Sequence, residues 1–406
     1  MLQSFLGLLV FVAIAFLFSS EKKKVNWKLV GVGVVLQLVL GLFFFNFPYL
    51  ADFLSYINQA VVMIEKATAA GTQFMFGFLA GGPAPFEITN PQNNFIIALR
   101  VLPIVLIMSA LTSVLFYLGV LQKIVQGFSW LLKKSMSLTG VQGLGVSANI
   151  FLGIVEAPLF VAPYLKLVSS STLFMIMTAG MSTVAGTVMV LYASLVGQVI
   201  ENALSHILIA SLISAPAAVI MAHIMVPGDK ESDSEVEINI KSECHSIMES
   251  LVKGTMDGIQ LLLAIIAMII VLFALVDFLN QSLSFLPGEM TLQKIVGYLF
   301  YPLVWLMGVA GDDLRAAAEL MATKTALNEF VSYQMIGSHN FSERTNMILV
   351  YAMCGFANLG SLGLLMGSFG VLIPERRAEI AKLAPRSLVS GTLATMMTGA
   401  VVGICY

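Results

Sequence analysis

Long apolar runs separated by short polar segments dominate the pattern of this chain. Eight charge-free runs are long and regular: Leu2–Ser20, Leu29–Leu50, Val101–Gln122, Leu167–Ile200, Asn202–Pro227, Gly258–Val276, Asn346–Pro374 and Ser387–Tyr406. A helix crossing a bilayer needs about 20 mostly apolar residues, so each run predicts a membrane span. Two further apolar stretches, Ser135–Val155 and Ile295–Gly311, are less regular and predict the beginnings of re-entrant hairpins. The segment Ala51–Gly71 sets Asp52, Glu65 and Lys66 among apolar residues, which predicts an interfacial amphipathic helix. The expected fold is therefore all-α and polytopic, with about eight transmembrane helices and two re-entrant hairpins.

Composition supports the membrane reading. The chain has 406 residues, 58% hydrophobic and 11% charged, where soluble proteins carry about 25% charged residues. A net charge of −2 excludes a basic nucleic-acid binder. Three scattered cysteines, Cys244, Cys354 and Cys405, form neither a disulfide framework nor a thiolate metal site. The first run lacks a preceding basic residue and a following small-x-small site, and Glu21-Lys22-Lys23-Lys24 comes next, so a retained helix is expected rather than a signal peptide. Lys22, Lys23, Lys24 and Lys28, then Lys123, Lys133 and Lys134, then Arg376, Arg377, Lys382 and Arg386 all fall on one side of eight spans. That side is expected to be cytoplasmic, with both termini outside and the mixed-charge stretch Asp229–Glu243 a solvated cytoplasmic loop.

Two segments 175 positions apart echo each other: Gly180-Met181-Ser182-Thr183-Val184-Ala185-Gly186 and Gly355-Phe356-Ala357-Asn358-Leu359-Gly360-Ser361. Trp130 and Trp305 share that spacing, and Glu156 and Glu329 lie 173 apart. With three crossings between the units, the second is expected to be inverted, as in secondary transporters, with broken helices at the Gly-rich centres. The expected organisation is N-terminal helices over 1–134, mainly scaffold, a first repeat over 135–227 and a cytoplasmic polar loop over 228–256. A scaffold helix with an interfacial segment over 257–294 and a second repeat over 295–406 complete it.

Ionisable groups in a bilayer cost about 2.5–3.5 kcal/mol on insertion scales. Glu156, at the end of an uncharged stretch, and Glu329 are accordingly candidate site residues; the alternative is a structural carboxylate, such as Glu329 paired with Lys324. A sodium ion needs hard oxygens. Asn149 and Thr183 offer side-chain oxygens, and Leu152 and Val184 offer main-chain carbonyls beside expected helix breaks. Thr183 bonding back to its own helix is the plainer alternative. His206 and His223 allow a proton relay, although neither repeats in the second half. Gly145-Val146-Ser147-Ala148 superficially matches an intramembrane serine-protease pattern. Neither a zinc-protease motif nor a nucleotide-binding glycine loop is present.

Met321-Ala322-Thr323-Lys324 with Asn328-Glu329-Phe330-Val331, Gly355-Phe356-Ala357-Asn358 with Ser361, and Gly153 before Glu156-Ala157-Pro158 carry a resemblance to the concentrative nucleoside transporter family. The resemblance runs through nearly the whole chain. It implies a homotrimer in a bacterial inner membrane, surrounded by lipid, importing nucleosides with sodium or protons by an elevator-like movement. No resident cofactor or nucleic-acid partner is implied. It places Glu329, Asn358 and Ser361 at the ribose, with Phe356 and Val188 lining the site, and Gly153, Ile154, Val155 and Glu156 at the first hairpin. It assigns sodium to Asn149, Leu152, Thr183 and Val184, so sodium is expected as the coupling ion, with Thr183 standing where the family has Ser. The first hairpin departs from the family's Gly-Gln-Thr/Ser-Glu: Ile154 and Val155 bring neither an amide nor a hydroxyl. A polar base edge would lose two partners there, each worth about 1–3 kcal/mol if left unpaired. Weakened uridine-type recognition is expected, with either broader base tolerance or preference for a different nucleoside. The alternatives are a proton-coupled or modified-nucleoside importer of the same fold, an intramembrane hydrolase using Ser147, and a non-transporting scaffold or receptor, which gives Glu156 and Glu329 no role.

Overall fold

The computed structural model describes residues 1–46, 48–87, 96–228, 244–283, 285 and 290–406, with the backbone alone at 48–58, 60, 61 and 163. The loop expected over Asp229–Glu243 lies outside the described residues. Described residues form seventeen α-helices and no strand. The first six are α1 (Leu2–Leu17), α2 (Trp27–Asn46), α3 (Pro48–Phe76), α4 (Ile97–Arg100), α5 (Ile104–Tyr117) and α6 (Val120–Met136). Then come α7 (Gly140–Phe151), α8 (Ser170–Ser182), α9 (Gly186–Val196), α10 (Ala203–Met225), α11 (Ile247–Leu283) and α12 (Leu292–Met307). The chain closes with α13 (Asp313–Ala326), α14 (Glu329–Ile336), α15 (Glu343–Met353), α16 (Leu359–Leu372) and α17 (Arg377–Cys405). Among the described residues, six helical stretches are long and apolar enough to cross a membrane.

Two expected spans are broken near their centres. Leu167–Ile200 becomes α8 and α9, separated at Thr183–Ala185, and Asn346–Pro374 becomes α15 and α16, separated at Cys354–Asn358. The breaks cross: the Phe356 amide donates to the Thr183 carbonyl at 3.3 Å. A Cβ on Gly355 would stand 2.9 Å from the carbonyl carbon of Ser182, so the close approach requires glycine. Non-helical backbone is thereby buried in protein and partly hydrogen-bonded, the condition for breaking a helix in lipid. The element order also repeats, α6-α7-α8-α9-α10 against α12-α13-α15-α16-α17. Trp130 lies on α6 and Trp305 on α12.

Ile295–Gly311 does not begin a hairpin: it lies mostly in α12, which runs unbroken to Met307. Gly297 packs against Glu319, while Gly308 closes the helix at φ +111°, so these glycines serve packing and termination rather than a central break. The end of α12 is capped from α1, where Ser4 Oγ donates to Met307 O at 3.0 Å and Gln3 Nε2 donates to Trp305 O. The second hairpin is instead α13 folded onto α14, matching α7 and the following 3-10 segment Ala157–Tyr164. Upstream of it, α11 starts at Ile247, inside the stretch read as loop.

The centre of the molecule is α8, α10 and the stretch 393–403 of α17, whose residues are almost all buried. By contrast, α11 buries only Ser250, Gly254, Gly258 and Val276 and packs chiefly on α5. The small residues let the backbones approach. Ser113 and Ser250 complete the contact, each hydroxyl donating to the other's carbonyl at 2.8 and 2.7 Å.

Candidate functional site

At the first hairpin, α7 is fixed by a capping box in which Thr139 and Gln142 each accept from the other's amide at 3.4 and 3.1 Å. The helix ends at Leu152, whose backbone is extended (φ −109°, ψ 155°). A tight turn follows, and Glu156 Oε2 accepts from the Gly153 amide at 3.1 Å. At the second hairpin, Asn328 caps α14 by accepting from the Val331 amide at 3.0 Å. Glu329 occupies the first helical position, where the helix dipole favours negative charge. Tyr192 donates its hydroxyl to Glu329 Oε1 at 2.6 Å, and Asn358 Nδ2 donates to Oε2 at 2.7 Å. The other end of the Asn358 amide caps α16, accepting from the Ser361 amide at 2.7 Å. One asparagine therefore fixes both the start of a broken helix and the direction of the buried carboxylate.

The two hairpin tips and the two breaks enclose a cavity of about 830 Å³, its open part included. Gly153, Ile154, Val155, Glu156, Val188, Glu329, Phe356, Asn358 and Ser361 all line it. Its polar lining residues are Glu156, Thr187, Tyr192, Asn328, Glu329, Asn358 and Ser361, and α11 closes another wall with Leu261, Ala264, Ile265, Met268 and Leu272. Sequence reasoning missed this apolar wall, and also Tyr192. A signal for Tyr192 existed: it lies four residues after Val188, on the same helix face.

Behind the first hairpin, Asn149 Nδ2 donates to Gly145 O at 2.8 Å, while its Oδ1 is buried without a hydrogen-bond partner. A Cβ on Gly180 would meet that oxygen at 3.1 Å and Ile154 Cγ1 at 3.0 Å, so the glycine keeps the space beside it clear. Thr183 Oγ1 donates back to Ala179 O at 2.8 Å, leaving its lone pairs as acceptors. Both Leu152 and Thr183 are extended residues at helix ends, and the Val184 amide is held by Ser211 Oγ at 3.3 Å. This donor set, an amide oxygen, a hydroxyl and carbonyls outside helix ladders, suits a hard monovalent cation.

Other candidates have different surroundings. Ser147 is fully buried and its hydroxyl has no hydrogen-bond partner, so no base activates it. His206 Nδ1 lies 2.9 Å from the Tyr351 hydroxyl, and His223 Nε2 accepts from the Asn26 amide at 2.9 Å; neither lines the cavity. Lys324 makes no hydrogen bond to Glu329.

Family models for the Na+ dependent nucleoside transporter match at residues 206–403 (C-terminus) and 6–79 (N-terminus), and a model described as nucleoside recognition matches at 98–199. An uncharacterized transporter of Haemophilus influenzae is 33% identical, covering 99% of this chain and 97% of its own. Solute carrier family 28 member 3 of Homo sapiens is 32% identical over 99% of this chain, which spans 60% of that longer protein. The structure resembles CNTnw in an inward-facing substrate-bound state with a TM-score of 0.91, 31% identity and coverage of 100% and 97%. A variant of CNTnw in an outward-facing state gives 0.89, with 30% identity and the same coverage.

Proposed function

The chain belongs to the Na+ dependent nucleoside transporter family, and from that premise we propose that it imports nucleosides across a bacterial inner membrane by sodium symport. It is a transporter, not an enzyme. In this reading a homotrimer carries the cavity between the hairpins across the membrane in an elevator-type movement. Glu329 and Asn358 take the ribose: a carboxylate and an amide complement vicinal hydroxyls, and each carboxylate oxygen retains lone pairs beyond the one facing Tyr192 or Asn358. Ser361 adds a hydroxyl, while Phe356 and Val188 supply apolar contact. Sodium binds Asn149 Oδ1, Thr183 Oγ1 and the carbonyls of Leu152 and Val184. The single observation carrying the reading is that the Glu329–Asn358 pair sits 2.7 Å apart in the cavity wall.

The first hairpin then governs the base. Ile154 and Val155 offer an apolar edge, so base recognition is weaker and broader, and uridine holds no advantage over other nucleosides. A thermal-shift screen of the purified protein against nucleosides, with and without sodium, tests the reading. Stabilisation by ribonucleosides that grows with sodium is expected. Uptake that is unchanged without sodium and collapses with a protonophore would overturn the sodium assignment.

A further inference from the structure

Lys324 and Glu329 are the sole fully buried Asp, Glu, Lys or Arg side chains among the described residues, 0% and 3% exposed. They stand five positions apart across the α13–α14 turn, with opposite charges. Glu329 has two side-chain donors, whereas Lys324 Nζ has no hydrogen-bond partner. The elements packed on α13 are chiefly α12, α14 and α15. Their titratable groups are Lys294, Tyr298 and Tyr301 on α12, Glu329 and Tyr333 on α14, and Glu343, Arg344 and Tyr351 on α15, which Cys354 closes. On α13 itself stand Asp313, Arg315 and Glu319. Tyr333 donates to Val350 O at 2.8 Å and Cys354 to Ile207 O at 3.5 Å, so both have partners elsewhere. Burial strips an ammonium of water, and nothing here replaces that water with a hydrogen bond. The other buried charge among the described residues, of opposite sign, is Glu329.

We propose that Lys324 is a positioning residue that acts on the substrate through Glu329. Its charge holds Glu329 as a carboxylate without hydrogen-bonding it, leaving both carboxylate oxygens to Tyr192, Asn358 and the incoming hydroxyls. This rests on the reading that Glu329 meets the nucleoside. Without the ammonium, Glu329 is a lone buried carboxylate, and binding a proton relieves it; a protonated Glu329 accepts fewer hydrogen bonds from ribose.

The test uses the purified full chain with saturating sodium, titrated with uridine and adenosine between pH 6 and 8.5. Wild type and Lys324→Arg keep a flat affinity across that range. Lys324→Met loses affinity by about tenfold per pH unit on the acidic side, the slope of a single titrating group. A second arm, thermal unfolding without nucleoside, needs no ligand. Lys324→Met with Glu329→Gln unfolds at a higher temperature than Lys324→Met alone, because no unpaired charge remains. A flat profile for Lys324→Met, or losses in the double variant equal to the sum of the singles, overturns the proposal. If Glu329→Gln binds nucleosides as wild type does while the unfolding temperatures stay coupled, the ribose reading and the positioning role fall together, and only the charge pairing survives.

Discussion

At the tip of the second hairpin, both oxygens of Glu329 meet side chains from other helices, Tyr192 and Asn358. At the tip of the first, Glu156 reaches the amide of Gly153 in its own turn, and the adjoining Ile154 and Val155 carry no hydrogen-bonding side chain. The hairpins occupy corresponding places in the repeat and line one cavity, yet one carboxylate is tied into a side-chain network from other helices while the other bonds within its own turn beside two apolar side chains. On the proposed reading the cavity is specific at one end and permissive at the other: a hydroxyl-rich group would find fixed partners at Glu329, while whatever lies against Ile154 and Val155 would be selected by shape.

The largest expected effect comes from Glu329→Gln. Losing hydrogen bonds to a charged group costs about 1.5–3 kcal/mol, so nucleoside affinity should fall on the order of 10- to 100-fold in direct binding. Glu156→Gln should cost less, under about tenfold on the same scale; equal losses at the two sites would break the comparison. Next, Ile154→Gln with Val155→Thr puts an amide and a hydroxyl into the permissive end. Uridine should then gain about tenfold in uptake competition, in line with two bonds of about 0.5–1.5 kcal/mol each, while a ribose-altered nucleoside gains nothing. Tyr192→Phe removes one donor from Glu329 without disturbing Asn358, and should raise the uptake KM roughly 3- to 10-fold at unchanged maximal rate. The smallest effect belongs to Ser368→Ala. That hydroxyl donates to Val155 O at 3.3 Å from an exposed position, so affinity should change by less than about twofold.

Much of this asymmetry was legible in the sequence, for a physical reason. Lipid expels charge, so Glu156 stood out at the end of an uncharged stretch and Glu329 at the matching place in the repeat, and the glycines of the two echoing segments marked where the helices break. The same reasoning failed at Ile295–Gly311, because a glycine that packs a helix or ends it looks identical in sequence to one that breaks it; the close approach of Gly297 to Glu319 and the positive φ of Gly308 and Gly311 tell them apart. The α11 wall was illegible since a leucine facing a cavity and a leucine facing lipid obey one hydropathy rule. Tyr192 and the solitude of Lys324 depend on contacts between residues more than a hundred positions apart, or on the lack of any contact, and local pattern carries neither.

On the proposed reading the ribose end of the cavity selects and the base end tolerates. The most direct measurement is competition against sodium-driven nucleoside uptake in proteoliposomes, with uridine, adenosine and inosine set beside their 3′-deoxy counterparts. The three ribonucleosides should compete at similar concentrations, and all three 3′-deoxy compounds should fail together. A ranking that follows the base and ignores the 3′-hydroxyl would contradict it.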